Sequence, residues 1–376
     1  MRVLGDDAGG ALRGEAIRRI VIIKPSALGD VVQSLPLARV LQTAWPGAEV
    51  HWVINREFES LLAGHPRLAG TIPFQRRGGF TRYLRLLAEL RARRCDLVLD
   101  LQGLLRTGVM TRATGARWRL GLQTAREGSH LACTGLIPGT ARAVPAHVRY
   151  WRVAEWLGLG DTPRDLELAL SPQEHDWARQ VLQGVPRPVV AVHAGAAWVT
   201  KRWPPAQFAQ ALTGLAGTAI LVGAGGELPL AQGVAAGLEG TGTRVLNLAG
   251  QTSLKQLAAL LGGVDAVLSN DSGPMHLAAG LGTPVVGLFT CTSPVQSGPV
   301  PLGRVPGRSQ PGGRDDLAGG GHEHALVATT VECAASYRKE CPYAGERRHA
   351  CFGALEVARV REALGRVLLG GVPGER

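Results

Sequence analysis

The chain has 376 residues, 45% of them hydrophobic, and no run of about 18 consecutive apolar residues that would cross a bilayer. At roughly 150 residues per domain the length suits two domains, each large enough to bury a core without disulfide or metal staples. The net charge of +11 invites a nucleic-acid reading until it is located: residues 1–160 carry 23 Lys and Arg against 12 Asp and Glu, whereas residues 161–376 carry 18 of each. An even positive coat is excluded, and the first half is expected to meet something anionic.

Only four of the 41 basic residues are lysine: Lys24, Lys201, Lys255 and Lys339. A lysine in so arginine-rich a chain is worth following. The six cysteines contain no CxxC pair and are too sparse for a disulfide scaffold, so a reducing cytoplasm is expected. Residues 1–19 lack the apolar stretch of a signal peptide, and residues 1–15 read as a disordered leader.

In chain order, Arg19–Ile23 is β-branched and continuous, as a strand buried on both faces should be. A helix over 31–43 follows, stopped by Pro46 and Gly47. Next come a strand over 49–54, a helix carrying Phe58, Leu61 and Leu62, a helix over 83–93 and a strand over 96–101. Strands alternating with helices at this spacing predict a parallel sheet with crossover helices, here a first domain over 16–165.

Residues 166–188, with Pro172, Pro186 and Pro188, read as a linker. Strands are then expected at Val189–His193, 219–222, 245–247, 266–269 and Val285–Phe289, within a second domain over 189–353. A Pro, Gly and Arg-rich stretch within 300–330 reads as a flexible insertion. A C-terminal helix over 354–370 closes the chain. The fold class is α/β, with two doubly wound domains facing a central cleft.

Three segments carry candidate chemistry. Lys24-Pro25-Ser26-Ala27-Leu28-Gly29-Asp30 lies between a strand and a helix, where ligands bind at the carboxyl edge of a sheet. Asp30 suits either a first-turn acid at a helix start or a base taking a proton from a hydroxyl. Thr200-Lys201-Arg202-Trp203-Pro204 follows another buried strand, and its cations beside a Gly-containing turn suit a phosphate. Asn270-Asp271-Ser272-Gly273-Pro274-Met275-His276 begins a helix whose amides suit a pyrophosphate. Here His276 faces either the core or the ligand. Glu227, after Gly223-Ala224-Gly225-Gly226, is placed for a ribose hydroxyl pair or is an ordinary loop acid. A triad hydrolase is rejected because no GxSxG elbow is present. Cys333, Cys341 and Cys351, with His349 nearby, match no common zinc spacing and read as packed or free thiols.

Taken in order, KPSALGDVVQSLP, DLQGLLRTG, LQTAREG, TKRWP and NDSGPMHLAAGLGTPVVGLF resemble glycosyltransferase family 9, the ADP-heptose:lipopolysaccharide heptosyltransferases. The resemblance implies a GT-B fold of two Rossmann-like domains and an inverting, metal-independent transfer of heptose to the inner core of lipopolysaccharide (Kdo or the first heptose). It implies Asp30 as catalytic base and Lys201 as the cation on the donor phosphates. Ser26, Gly29, Thr200, Glu227, Asp271, Ser272, Gly273 and His276 are implied as further donor contacts. Arg56, Gln102, Arg106, Arg126 and Glu127 are implied on the acceptor side, with LQTAREG closer to the enzymes adding the first heptose. ADP-heptose would be a co-substrate, with no cofactor and no metal.

Ala197 departs from the pattern, standing where relatives carry a Ser or Thr hydroxyl. The implied partner is an anionic, lipid-linked saccharide at the cytoplasmic surface of the inner membrane, where the protein would be peripheral. A GT-B transferase using another nucleotide sugar, for exopolysaccharide or protein glycosylation, is the alternative. A non-catalytic nucleotide- or nucleic-acid-binding module is disfavoured, because no aromatic residues interleave with the basic ones.

Overall fold

The strand Arg19–Ile23 (β1) shows why the chain folds as two covered sheets. Ile20 and Ile22 point to one face and Val21 and Ile23 to the other, and all four are buried. Period-two alternation with both sides apolar requires helices on both faces. One face packs against Val31, Leu41, Trp52, Tyr150 and Trp151. The other packs against Val53, Leu86, Leu90 and Met110. Each fully buried Ile contributes about 1.5–3 kcal/mol relative to exposure.

The computed structural model describes residues 2–300 and 324–369. They form two compact units, one up to Ala169 and the other from Leu170. In the first, β1 is joined by β2 (Glu49–Asn55), β3 (Gly70–Phe74), β4 (Leu97–Asp100), β5 (Trp118–Leu122) and β6 (Gly135–Ile137). The order is β3-β2-β1-β4-β5-β6, and the pairings are parallel. In the second unit lie β7 (Val189–His193), β8 (Thr218–Leu221), β9 (Arg244–Asn247), β10 (Ala266–Asn270), β11 (Val285–Phe289) and β12 (Ala325–Ala328). Their order is β12-β11-β10-β7-β8-β9, again parallel. Numbered within its own unit, each sheet reads 3-2-1-4-5-6, the doubly wound Rossmann order. The strand direction of growth reverses between β1 and β4 in one sheet and between β7 and β10 in the other. Ligands of such sheets bind at that reversal, beyond the strands' carboxyl ends.

Several boundaries differ from expectation. Residues 1–15 are not a disordered leader throughout: Ala8–Arg13 is helical, Leu12 is buried, and the Trp156 indole donates to the Gly5 carbonyl at 3.0 Å. A Cβ on Gly9 would fall 1.8 Å from the Trp156 carbonyl oxygen, so glycine is what lets this helix dock. The polar composition had concealed Leu12 and, packed against the same core, Leu4 and Ala8. The expected linker over 166–188 contains the helix Pro172–Leu182. Pro172 supplies a helix start, Ser171 and Glu174 close a capping box, and Leu182 packs against Gly263. Its prolines therefore mark a helix start as well as turns.

The helix expected over 31–43 is two helices, Leu28–Ser34 and Leu37–Ala44, because Pro36 has no amide hydrogen to continue the first. Of the expected flexible insertion over 300–330, residues 301–323 lie outside the described residues. Residues 325–328 within it form β12, parallel to β11 at the edge of the second sheet. The C-terminal helix runs over Val357–Leu369 and buries Val360, Ala363, Leu364 and Val367 in the second core.

Candidate active site

In the first unit the candidate residues come from the loops that follow β1, β2, β4 and β5. Asp30 stands in the first turn of the Leu28–Ser34 helix, where the macrodipole favours a carboxylate. Its Oδ2 lies 3.1 Å from the Lys24 ammonium, and the Tyr150 hydroxyl donates to Oδ1 at 2.9 Å. Lys24 is 3% exposed and Asp30 36% exposed. A buried cation thus supports a carboxylate that still reaches solvent. Burial raises the Tyr150 hydroxyl well above its ordinary pKa, and the neighbouring Asp30 charge adds to the effect, so Tyr150 remains a donor at neutral pH. Ser26 is partly exposed just ahead of this helix, and Gly29 is buried within its first turn.

The segments around Gln102 and Arg126 meet. The Arg126 amide donates to the Gly103 carbonyl at 2.9 Å, and Glu127 accepts from the Leu105 amide at 3.2 Å. Gly103 has φ +64°, and a Cβ there would lie 2.9 Å from the Ala125 Cα. This approach needs a glycine at that position. Asp100, at the end of β4, is buried and takes the Gln102 and Gly103 amides on Oδ1 at 3.0 and 2.9 Å. Burial raises its pKa despite these bonds and the nearby Lys24 charge. Arg106 is half-buried in the first turn of the Leu105–Thr114 helix, and its carbonyl accepts from the Tyr83 hydroxyl at 2.6 Å. Arg56, after β2, is exposed and shares a hollow with Arg82 and Arg85.

In the second unit the residues come from the loops after β7, β8 and β10. The Lys201 ammonium lies 2.7 Å from Asp271 Oδ2, and His276 Nε2 lies 3.8 Å from Oδ1. Asp271 is 5% exposed. Burial opposes its charge, but His276 and Lys201 outweigh that and hold its pKa at about 2. Lys201 also faces the Trp198 ring at 4.7 Å from the centroid, with the Lys339 ammonium at 5.8 Å.

The Gly273–Gly280 helix begins at Ser272, whose side chain makes no capping bond. Instead Ser272 Oγ meets His193 Nδ1 at 2.9 Å and Ser269 Oγ at 3.0 Å. His193 Nε2 in turn meets Glu227 Oε2 at 3.1 Å. Glu227 also accepts from the Ala224 amide at 2.9 Å. Burial would raise the Glu227 pKa, yet the bond to His193 and its charge, with the Ala224 amide, hold it below the ordinary range. A Cβ on Gly195 would come within 1.9 Å of Glu227 Oε1, which fixes glycine there.

The geometry separates the candidates into three kinds. Lys201, Asp271, Ser272, Gly273 and His276 gather at one helix start, with Glu227 reached through His193. Thr200 is buried and turned into the fold, donating to the Arg338 carbonyl at 2.7 Å. Ser26 and Gly29 belong to the other unit, beside Asp30. Sequence reasoning did not assign Lys24, Tyr150, Asp100 or His193 to the site. The scarcity of lysine signalled Lys24; a tyrosine 120 positions from its partner carried no local signal. The cysteines are unpaired, and burial raises the Cys133 and Cys351 thiols to about 12 and about 11.

The profile of glycosyltransferase family 9 (heptosyltransferase) matches residues 83–304. The chain is 29% identical over 294 residues to the lipopolysaccharide core heptosyltransferase OpsX of Haemophilus influenzae, covering 76% of this chain and 82% of that one. It is 29% identical over 345 residues to lipopolysaccharide heptosyltransferase 1 of Pseudomonas aeruginosa, covering 86% and 88%. Among solved structures, E. coli ADP-heptose lipopolysaccharide heptosyltransferase II superposes with a TM-score of 0.68 at 24% identity, covering 93% and 98%. E. coli heptosyltransferase WaaC with ADP gives 0.57 at 26% identity, covering 75% and 90%.

Proposed function

Because the chain belongs to glycosyltransferase family 9 (heptosyltransferase), we propose that it moves heptose from ADP-heptose to the inner core of lipopolysaccharide. The observation that carries the donor half of this reading is Lys201 beside an uncapped helix start at the strand reversal of the second sheet. A cation and first-turn amides converging there suit the two phosphates of a nucleoside diphosphate.

Transfer breaks the bond from the anomeric carbon to the phosphate oxygen and forms one to the acceptor oxygen. Positive charge builds on the sugar and negative charge on the departing ADP. Lys201 and the amides at Ser272 and Gly273 neutralise the leaving diphosphate, and this reading assigns that work to the protein's own groups rather than to a metal. Asp30 receives the acceptor proton. Lys24 and Tyr150 orient its carboxylate while leaving it open to solvent. Attack from the face opposite ADP in a single displacement inverts the anomeric centre. Gln102, Arg106, Arg126 and Glu127 form the acceptor side, with Arg56 beyond them, and the excess arginine of this half suits an anionic, lipid-linked saccharide. The protein would then work at the cytoplasmic face of the inner membrane as a peripheral enzyme.

Donor titration tests the reading. ADP-heptose is expected to raise the melting temperature, and UDP- and GDP-sugars to leave it unchanged at equal concentration. A clear preference for a UDP-sugar would replace the donor.

A further inference from the structure

Nine large apolar side chains are exposed among the described residues, and five of them lie on one side of the first sheet: Phe80, Leu84, Leu105, Val109 and Leu131. Phe80 is 74% exposed and Leu131 77%. The spacing is that of helix stripes, with Phe80 and Leu84 four apart on the Gly79–Ala92 helix and Leu105 and Val109 four apart on the Leu105–Thr114 helix. Both helices enclose the same core, with Leu86, Leu90 and Met110 turned inward. They lie side by side, joined by the Tyr83 hydroxyl on the Arg106 carbonyl. The Ser129–Ala132 turn packs against Gly108, where a Cβ would lie 2.8 Å from the Ser129 Cα, and so sets the exposed Leu131 beside the second helix.

Charge surrounds these residues with one sign. Residues 75–131 contain 12 arginines against four acids, which is +8 of the chain's +11. The acids are engaged: Glu89 pairs with Arg93 at 2.9 Å, Asp96 accepts the Arg18 and Arg19 amides, Asp100 is buried, and Glu127 accepts the Leu105 amide. Arg76, Arg77, Arg82, Arg85, Arg91 and Arg112 are exposed.

We propose that this outer face is a docking surface for a bilayer containing anionic phospholipid. Apolar tips spread over three elements, with arginines between them, fit a surface where guanidinium groups meet lipid phosphates while Phe and Leu reach the acyl boundary. A single protein partner would more readily match one continuous apolar groove. The inference deepens the peripheral assignment above and rests on it. Arg106, proposed on the acceptor side, lies in the first turn of one of these helices, beside the exposed Leu105.

Flotation with vesicles of phosphatidylcholine alone, and of phosphatidylcholine mixed with phosphatidylglycerol, tests it. The full chain is expected to float only with the phosphatidylglycerol vesicles. Phe80→Glu combined with Leu84→Glu is expected to weaken that partition about tenfold or more, whereas Val295→Glu, at an exposed apolar residue of the other unit, leaves it unchanged. Circular dichroism confirms that the exposed-site variants fold. Failure of the wild type to bind, or unchanged binding by the double variant, overturns the proposal. So does a loss of self-association in the double variant, by sedimentation, with vesicle binding retained: the face then joins two copies. Transfer to a delipidated, water-soluble acceptor separates the two readings. The double variant keeps that activity if the docking reading is right, and a wild type lacking it refutes heptosyl transfer without touching the membrane result.

Discussion

The two units share one strand order and place a Lys–Asp pair at the same topological position, yet the pairs are built oppositely. In the first unit both members come from one segment, Lys24 and Asp30, and the lysine is the buried partner. In the second they come from loops after different strands, Lys201 and Asp271, and the aspartate is the buried partner, further held by His276. A carboxylate that reaches solvent can take up a proton from a substrate. One held at about 2 is a permanent charge, and its service is to position a cation and a helix start. On the proposed reading the same fold would supply a base on one side and an anion site on the other, according to which member of the pair is covered.

Substitutions can break this contrast. Asp30→Asn keeps the shape but removes the proposed proton acceptor, and turnover is expected to fall about a thousandfold while ADP affinity, by calorimetry, stays near wild type. Lys201→Ala leaves Asp271 charged and buried, at an expected cost of about 3 kcal/mol in urea unfolding, together with a higher KM for donor. Equal loss of stability from Asp30→Asn would erase the distinction between the pairs.

Acid sharpens it. The native pKa of Asp271, about 2, lies below its unfolded value, so the ion pair's contribution is complete above about pH 4 and is lost as pH falls through about 2. It amounts to about 2 kcal/mol. Unfolding free energies measured across that window should lose this component in Asp271→Asn. The smallest effect is expected from Tyr150→Phe, which removes one donor from Asp30. A decrease in kcat of about tenfold with unchanged donor KM is anticipated, and an unchanged kcat would mean that Lys24 and the Ala27 amide orient the carboxylate without Tyr150.

Strands buried on both faces were legible because apolar β-branched runs such as Arg19–Ile23 and Val189–His193 have few other uses. Gly70–Phe74, Trp118–Leu122, Gly135–Ile137 and the edge strand Ala325–Ala328 escaped notice, since runs of three to five residues, broken by Gly, Pro or Arg or lying at a sheet edge, do not differ from loops by pattern. The start of the chain was misread for a related reason: a few small contacts, from Leu4, Ala8 and the buried Leu12, hold a helix that composition alone assigns to solvent. At the site, residues next to a strand end or helix start were visible as motifs. Their supports were not. Tyr150 reaches Asp30 through tertiary packing, and His193 joins Ser272 to Glu227 across 79 and 34 positions. Thr200 shows the reverse situation, a motif residue whose hydroxyl donates within the fold to the Arg338 carbonyl.

Trp198 carries a consequence of another kind. Its ring lies close to the ammonium groups of both Lys201 and Lys339, at 4.7 and 5.8 Å, and an indole's emission responds to the charge beside it. Any ligand that draws Lys201 toward phosphate oxygens changes the electric field across that ring. One of the chain's eight tryptophans is thereby an unlabelled optical gauge of occupancy, placed where the diphosphate would bind.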